Sequence, residues 1–137
     1  MDIPAPFNFN LDYETRDKLL KLEVDWEDKM NRVIKFEPCQ VDILESLVNQ
    51  KFINPQDRQN NSPTVKEILE FMRKHPALFV YGYAVSPKRR DFRISLEGLA
   101  VNQEDVTDEL KEAFLDFCKG ATEIHTEGVN GLLSWWA

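Results

Sequence analysis

Apolar positions along the chain change period several times, and each change predicts an element. From Asp12 to Ile34, Leu19, Leu22, Trp26, Met30, Val33 and Ile34 share one stripe of a helical wheel, with Leu20 and Val24 off it. This predicts a long amphipathic helix. The Glu37-Pro38 pair should end it, because a proline pushes the preceding residue out of the α region. A second helix is expected over Pro38–Gln50, with Pro38 in its first turn and Val41, Leu44, Leu47 and Val48 inward. The third has two possible starts, the capping-box spacing Thr64-Val65-Lys66-Glu67 or Ser62-Pro63, and runs to Lys74 with Val65, Ile68, Leu69 and Met72 inward. Between the second and third lies a polar loop, Asn54 to Ser62, the segment expected to be most mobile.

After Pro76 the period becomes two. Ala77 to Val85 is uncharged and rich in aromatic and β-branched residues, which predicts a strand apolar on both faces. Ser86-Pro87-Lys88-Arg89-Arg90-Asp91 reads as a hairpin tip. In the returning arm Phe92, Ile94 and Leu96 alternate with Arg93, Ser95 and Glu97, but Leu99 and Val101 fall on the opposite parity. One extra residue at Gly98, a β-bulge, would return all five apolar side chains to one face. A fourth helix is predicted over Asp105–Lys119 from Val106, Leu110, Ala113, Phe114 and Phe117, with Gly120 suited to its C-terminal cap. Ala121–Thr126 and Leu132–Trp136 then form a second hairpin around Gly128-Val129-Asn130-Gly131.

The predicted order is three helices, a hairpin, a helix and a hairpin. That order points to one α+β domain over residues 1–137, with a mainly antiparallel sheet covered by helices on one face. Residues 1–10, with Pro4, Pro6, Phe7 and Phe9, form an extended lead-in whose phenylalanines tuck against the body.

Composition narrows the function. The chain's 137 residues suffice for a core without disulfides, and nothing in it resembles a signal peptide or a long apolar span, so a reducing cytoplasm is expected. Against 24 acidic residues stand 17 basic ones, a net charge of −7, which opposes general binding to nucleic acid or anionic membrane and favours a basic protein partner. Self-association remains compatible with this balance.

No phosphate-cradling glycine loop, nucleophile elbow, HExxH or Cys-x-x-Cys motif is present, and no cofactor is called for. Absence of these motifs does not exclude an enzyme, but binding to another protein is the function expected. Asp105, Asp108, Glu109, Glu112 and Asp116, with Glu104, make a dense acidic patch on the fourth helix, offset only by Lys111 and Lys119. Such a patch is either a solvated helix face or the contact surface of an inhibitor or immunity-type antagonist of a basic protein. Trp135 and Trp136 would face opposite ways on a strand, so at least one is exposed unless both sides of the sheet are covered; both are interface candidates, the plainer reading being core packing or a cover for the sheet.

Two other constellations have bolder and plainer readings. Glu123, His125 and Glu127 on one strand face could offer ligands to a divalent metal of an enzyme, or be merely a solvated edge. Tyr81, Tyr83, Lys88, Arg89, Arg90 and Arg93 could stack and neutralise single-stranded nucleic acid, or be sheet residues beside a charged tip. Cys118 is expected in the core, Cys39 in the first turn of the second helix, and His75 at the end of the third as a structural residue.

Overall fold

The computed structural model describes residues 7–59, 61–127 and 130–136. Its described residues form four α-helices and a five-stranded antiparallel sheet, an α+β architecture. In chain order these are α1 (Tyr13–Leu19), β1 (Val33–Cys39), α2 (Val41–Asn49), α3 (Val65–Lys74), β2 (Phe79–Val85), β3 (Ile94–Asn102), a 3₁₀ turn (Gln103–Asp105), α4 (Asp108–Phe117), β4 (Glu123–His125) and β5 (Asn130–Trp135). The strands lie in the order β1-β2-β3-β5-β4.

The long helix expected over Asp12–Ile34 is replaced by a short helix, an irregular segment and a strand. Asp12 caps α1, accepting the Thr15 N–H at 3.2 Å and the Thr15 hydroxyl at 2.6 Å. The helix then closes in a Schellman arrangement: the Leu22 N–H donates to the Asp17 carbonyl and the Lys21 N–H to the Lys18 carbonyl, with Lys21 left-handed at φ 57°. Beyond it, Asp25 and Asp28 side chains accept the N–H groups of Glu27 and Met30, and Asn31 donates to the Asp25 carbonyl. These local bonds offer the backbone an alternative to the helical ladder. Met30, expected inward, is 86% exposed.

Val33-Ile34-Lys35-Phe36 instead pairs with β2, with Val33 opposite Val85 and Phe36 opposite Gly82. The order of elements is corrected accordingly, with a strand between the first two helices. Pro38 lies in β1, not in the first turn of the second helix; an edge strand with a register shift between Phe36 and Cys39 tolerates its missing N–H. Residue Lys51 closes α2 as Lys21 closes α1, at φ 64° with the Phe52 N–H donating to the Leu47 carbonyl.

The hairpin forms as its pattern predicts. Tyr81 pairs with Gly98 and Gly82 with Leu96, so Glu97 is the extra residue of a bulge beside Gly98. Across that bulge Phe92, Ile94, Leu96, Leu99 and Val101 are all buried, none more than 7% exposed. Thr64 and Glu67 form the capping box of α3, and Val65, Ile68, Leu69 and Met72 are buried as expected. The polar loop before it is tied down at several points: Asp57 accepts the Val65 N–H, Pro55 the Lys66 N–H, and the buried Ser62 hydroxyl the Gln59 N–H.

The fourth helix starts later than expected, with Thr107 accepting the Leu110 N–H at 3.1 Å as its cap, so Asp105 and Val106 precede it. Cys118 takes the C-cap position and Gly120 lies beyond the cap. The second hairpin pairs Glu123 with Trp135 and His125 with Leu133; Gly128 and Val129 of its expected turn lie outside the described residues.

Strand register divides the sheet's side chains. Phe36, Val80, Ala84, Ile94, Leu96, Leu99, Val101 and Leu132 share one face and join Leu44, Leu47, Ile68, Leu69, Met72, Leu110 and Phe114 of the helices in a single core. Burying each of these side chains other than Ala84 contributes about 1.5–3 kcal/mol.

Candidate functional site

The opposite face of the sheet has a different character. Pairings of Phe79 with Ala100, Tyr81 with Gly98, Tyr83 with Ser95 and Ala100 with Leu133 place these residues together, and Trp135 joins them from β5. Phe79, Tyr81, Tyr83, Leu133 and Trp135 are each half-buried, and none belongs to the core. The face is thus aromatic at its centre and polar around it, with Lys35 opposite Tyr83 and Glu123 opposite Trp135.

Gly98 makes the centre of this face flat. With no side chain between its neighbours, the Tyr81 ring lies across it and donates its hydroxyl to the Ser134 carbonyl of β5. Burial, with Glu97 nearby, pushes the Tyr81 hydroxyl up to about 12, so it remains a donor at any physiological pH. The Glu97 side chain is only 12% exposed, its Oε1 3.9 Å from Lys35 Nζ and without a hydrogen bond among the described residues.

Trp135 and Trp136 face opposite ways, as adjacent strand residues must, but Trp136 is not available to a partner. It is 1% exposed and part of the core, with no acceptor for its Nε1 among the described residues. The expected interface role of Trp136 is corrected on that ground. Asp105, Asp108, Glu109, Glu112 and Asp116 are all exposed. Leu110 and Phe114 of α4 join the core, whereas Trp135 projects from the face of the sheet opposite Leu132.

Most of the basic tip is paired internally. Lys88 donates to Glu27 at 2.8 Å, Arg89 forms a fork with Asp91 at 2.8 and 2.7 Å, and Arg93 reaches the same carboxylate at 2.8 Å. Arg93 also donates to Tyr83 Oη at 3.3 Å and stands 5.8 Å over its ring. Bonds from Arg93, then Arg89, hold the Asp91 carboxyl below its usual range. Burial alone would lower Arg93, but its bonds to Asp91 and Tyr83 outweigh that and leave it raised. Of the cluster named from sequence, Arg90 alone makes no such bond among the described residues.

Glu123, His125 and Glu127 are exposed, and only the first two meet, His125 Nε2 lying 3.5 Å from Glu123 Oε2. Among the described residues no three His, Cys, Asp or Glu side chains are gathered closely enough to hold a metal ion.

Both thiols are free. Cys118 is buried, as expected, and burial pushes it up to about 11. Cys39 ends β1 rather than opening α2, so it lacks a helix N-terminus to favour the thiolate; burial, with Asp42, pushes it up to about 12. His75 closes α3 as expected, its ring 4.8 Å from that of Phe71.

No protein-family model, curated protein or solved structure matches this chain. Among the described residues no helix is long and apolar enough to cross a membrane.

Sequence reading missed one buried polar cluster altogether. Arg16, 0% exposed, lies 4.6 Å from the Phe92 ring and 5.6 Å from that of Trp26, and donates to the Val85 carbonyl at 2.9 Å. Its partner Asp17, 3.1 Å away, accepts Trp26 Nε1–H at 2.6 Å. The cluster fastens α1 and the segment after it to the hairpin. A period-3.6 stripe cannot reveal it, since arginine reads as polar.

Proposed function

We propose that the protein is an acidic protein-binding module that docks a basic partner on the sheet face carrying Tyr81, Tyr83 and Trp135. The observation behind this reading is the set of half-buried aromatic side chains outside the core, sharing one face with Glu97 and Glu123. In this reading the helices cover the other face only, and the aromatic face is left for the partner. Tyrosine and tryptophan supply large contact area with little side-chain entropy to lose, and they dominate interface centres. Lys35 and Arg93 lie on this face beside Glu97 and Glu123, so the preference for a basic partner comes from the chain's overall charge.

The net charge of −7 and the exposed acids of α4 add long-range steering toward a basic surface rather than direct contact. An inhibitor or immunity-type antagonist of a basic protein would have this combination. A reducing compartment such as the cytoplasm suits the two free thiols.

Single-stranded nucleic acid is the weaker reading of the same aromatic face. Its phosphates require unpaired cations, and of Lys88, Arg89, Arg90 and Arg93 all but Arg90 are already matched by Glu27 and Asp91.

The test is capture of a partner by the wild-type chain, by Tyr83→Ala/Trp135→Ala, and by a charge-reversed α4. Loss in the first variant with slower, salt-sensitive capture in the second supports the reading. Equal capture by Tyr83→Ala/Trp135→Ala contradicts it.

A further inference from the structure

We propose that the cleft between the Asp25–Arg32 segment and the hairpin tip binds a small molecule that carries a compact anionic group on a flat apolar body. This cleft, about 350 Å³ in volume, is walled by the side chains of Lys29, Asn31, Arg32, Lys88 and Arg89, with only the exposed edge of Trp26, 6% of that residue, and the nearly buried Ser86 at its base. Four basic residues line it against two acidic ones, Glu27 and Asp28, in a chain whose overall balance is strongly acidic. Trp26 also lines a neighbouring cleft, of about 450 Å³, where Glu14, Asp17, Glu23, Asp25 and Glu27 face a single basic residue, Lys18. Two concave surfaces whose linings differ in charge balance therefore share the tryptophan.

Which of the four cations are free decides the ligand's charge. Lys88 is bound to Glu27, and Arg89 is held in a fork by Asp91. Lys29 and Arg32 make no side-chain hydrogen bond or ion pair among the described residues. They are the groups left to meet an anion, Arg32 with a planar donor pair suited to phosphate or carboxylate. Ser86, 2% exposed, accepts the Lys88 N–H on its hydroxyl at 3.1 Å and so shapes the tip behind these cations.

The walls are fixed before any ligand arrives. The Ser86 N–H donates to the Arg32 carbonyl at 2.9 Å, joining the two sides of the cleft, and Arg89 N–H donates back to the Ser86 carbonyl at 3.1 Å. On the apolar side, Asp17 holds the Trp26 indole N–H at 2.6 Å and the Arg16 guanidinium stands over its ring. A site held in this way loses little entropy on binding.

The experiment is a titration of the full-length, isotope-labelled chain with phenyl phosphate, followed by the Trp26 indole signal and the backbone amides of Arg32, Ser86 and Arg89. Saturable shifts confined to those signals are expected, with no response to phenol and weaker binding of inorganic phosphate. A parallel titration with benzoate separates the two head groups, and saturation by either supports the site. Lys29→Gln/Arg32→Gln should weaken binding about tenfold for each charge-assisted hydrogen bond removed. Its unfolding midpoint should be unchanged, and Arg32→Lys should restore part of the affinity. The proposal is overturned if neither aromatic anion saturates, if the double variant binds as well as wild type, or if inorganic phosphate binds as tightly as phenyl phosphate.

Discussion

The Tyr81 ring crosses the sheet over Gly98, and its hydroxyl ends at the Ser134 carbonyl one strand further on. A β-carbon on residue 98 would lie 2.0 Å from the Ser134 oxygen and 2.4 Å from Tyr81 Oη. Gly98→Ala should therefore destabilise by roughly 3 kcal/mol through overpacking. Adding Tyr81→Ala should not restore stability, because the Ser134 backbone still occupies the space. Tyr81→Phe alone should cost about 1 kcal/mol for the hydrogen bond it removes. Urea unfolding of the three variants checks this.

Arg16 and Asp17 should be strongly coupled. Arg16→Met leaves a carboxylate that is 8% exposed with no cation and should cost about 3–5 kcal/mol. Asp17→Asn should destabilise the wild type but stabilise the Arg16→Met background. A double-mutant cycle measures this reversal of sign, and additive effects would refute the coupling.

Lys21 and Lys51 stand where helices commonly place glycine. A left-handed backbone costs an L residue about 1–2 kcal/mol, and glycine's looser unfolded chain offsets about 0.5–1 of that. Lys51→Gly should gain about 0.5 kcal/mol, whereas Lys51→Val should lose stability, since a β-branched side chain fits this region worst. Both can be read as shifts in denaturation midpoint at constant slope.

Alkali should unfold the protein through groups that burial keeps protonated. Tyr81 titrates near 12 in the folded chain against an ordinary 10.0, and Cys118 and Cys39 near 11 and 12 against 9.0. Within these windows the unfolded chain has released protons that the folded chain retains, so stability is full below pH 9 and falls as pH rises toward 12. Tyr81→Phe should flatten the upper part of that fall. Ellman's reagent at neutral pH should label both thiols slowly in the native protein and rapidly in urea.

Much of the sheet could be read from local pattern. The parity change around Gly98 locates the bulge, and Thr64 with Glu67 locates the start of α3, because both signals lie within a few residues. β1 was hidden because a lysine, Lys21, takes the left-handed position that closes α1, so no glycine marks the stop, and because Val33 and Ile34 also fit the helical stripe that begins at Leu19. The β-branched pair followed by Phe36 was the available signal of a strand. Tyr81, Tyr83 and Trp135 could be singled out from sequence, but their common face depends on β5 lying beside β3, which no local period encodes. Trp136 and the buried Arg16 were illegible for the same reason: both owe their burial to segments far away in the chain.

The central claim is that the aromatic sheet face, and not the acidic helix, makes the contact. Its most direct test places a photoactivatable crosslinking residue at Trp135 in one sample and at Glu112 on α4 in another, each irradiated with the captured partner. A crosslinked complex at position 135 and none at 112 is the predicted result. Crosslinking at 112 alone would contradict the account and move the interface to α4.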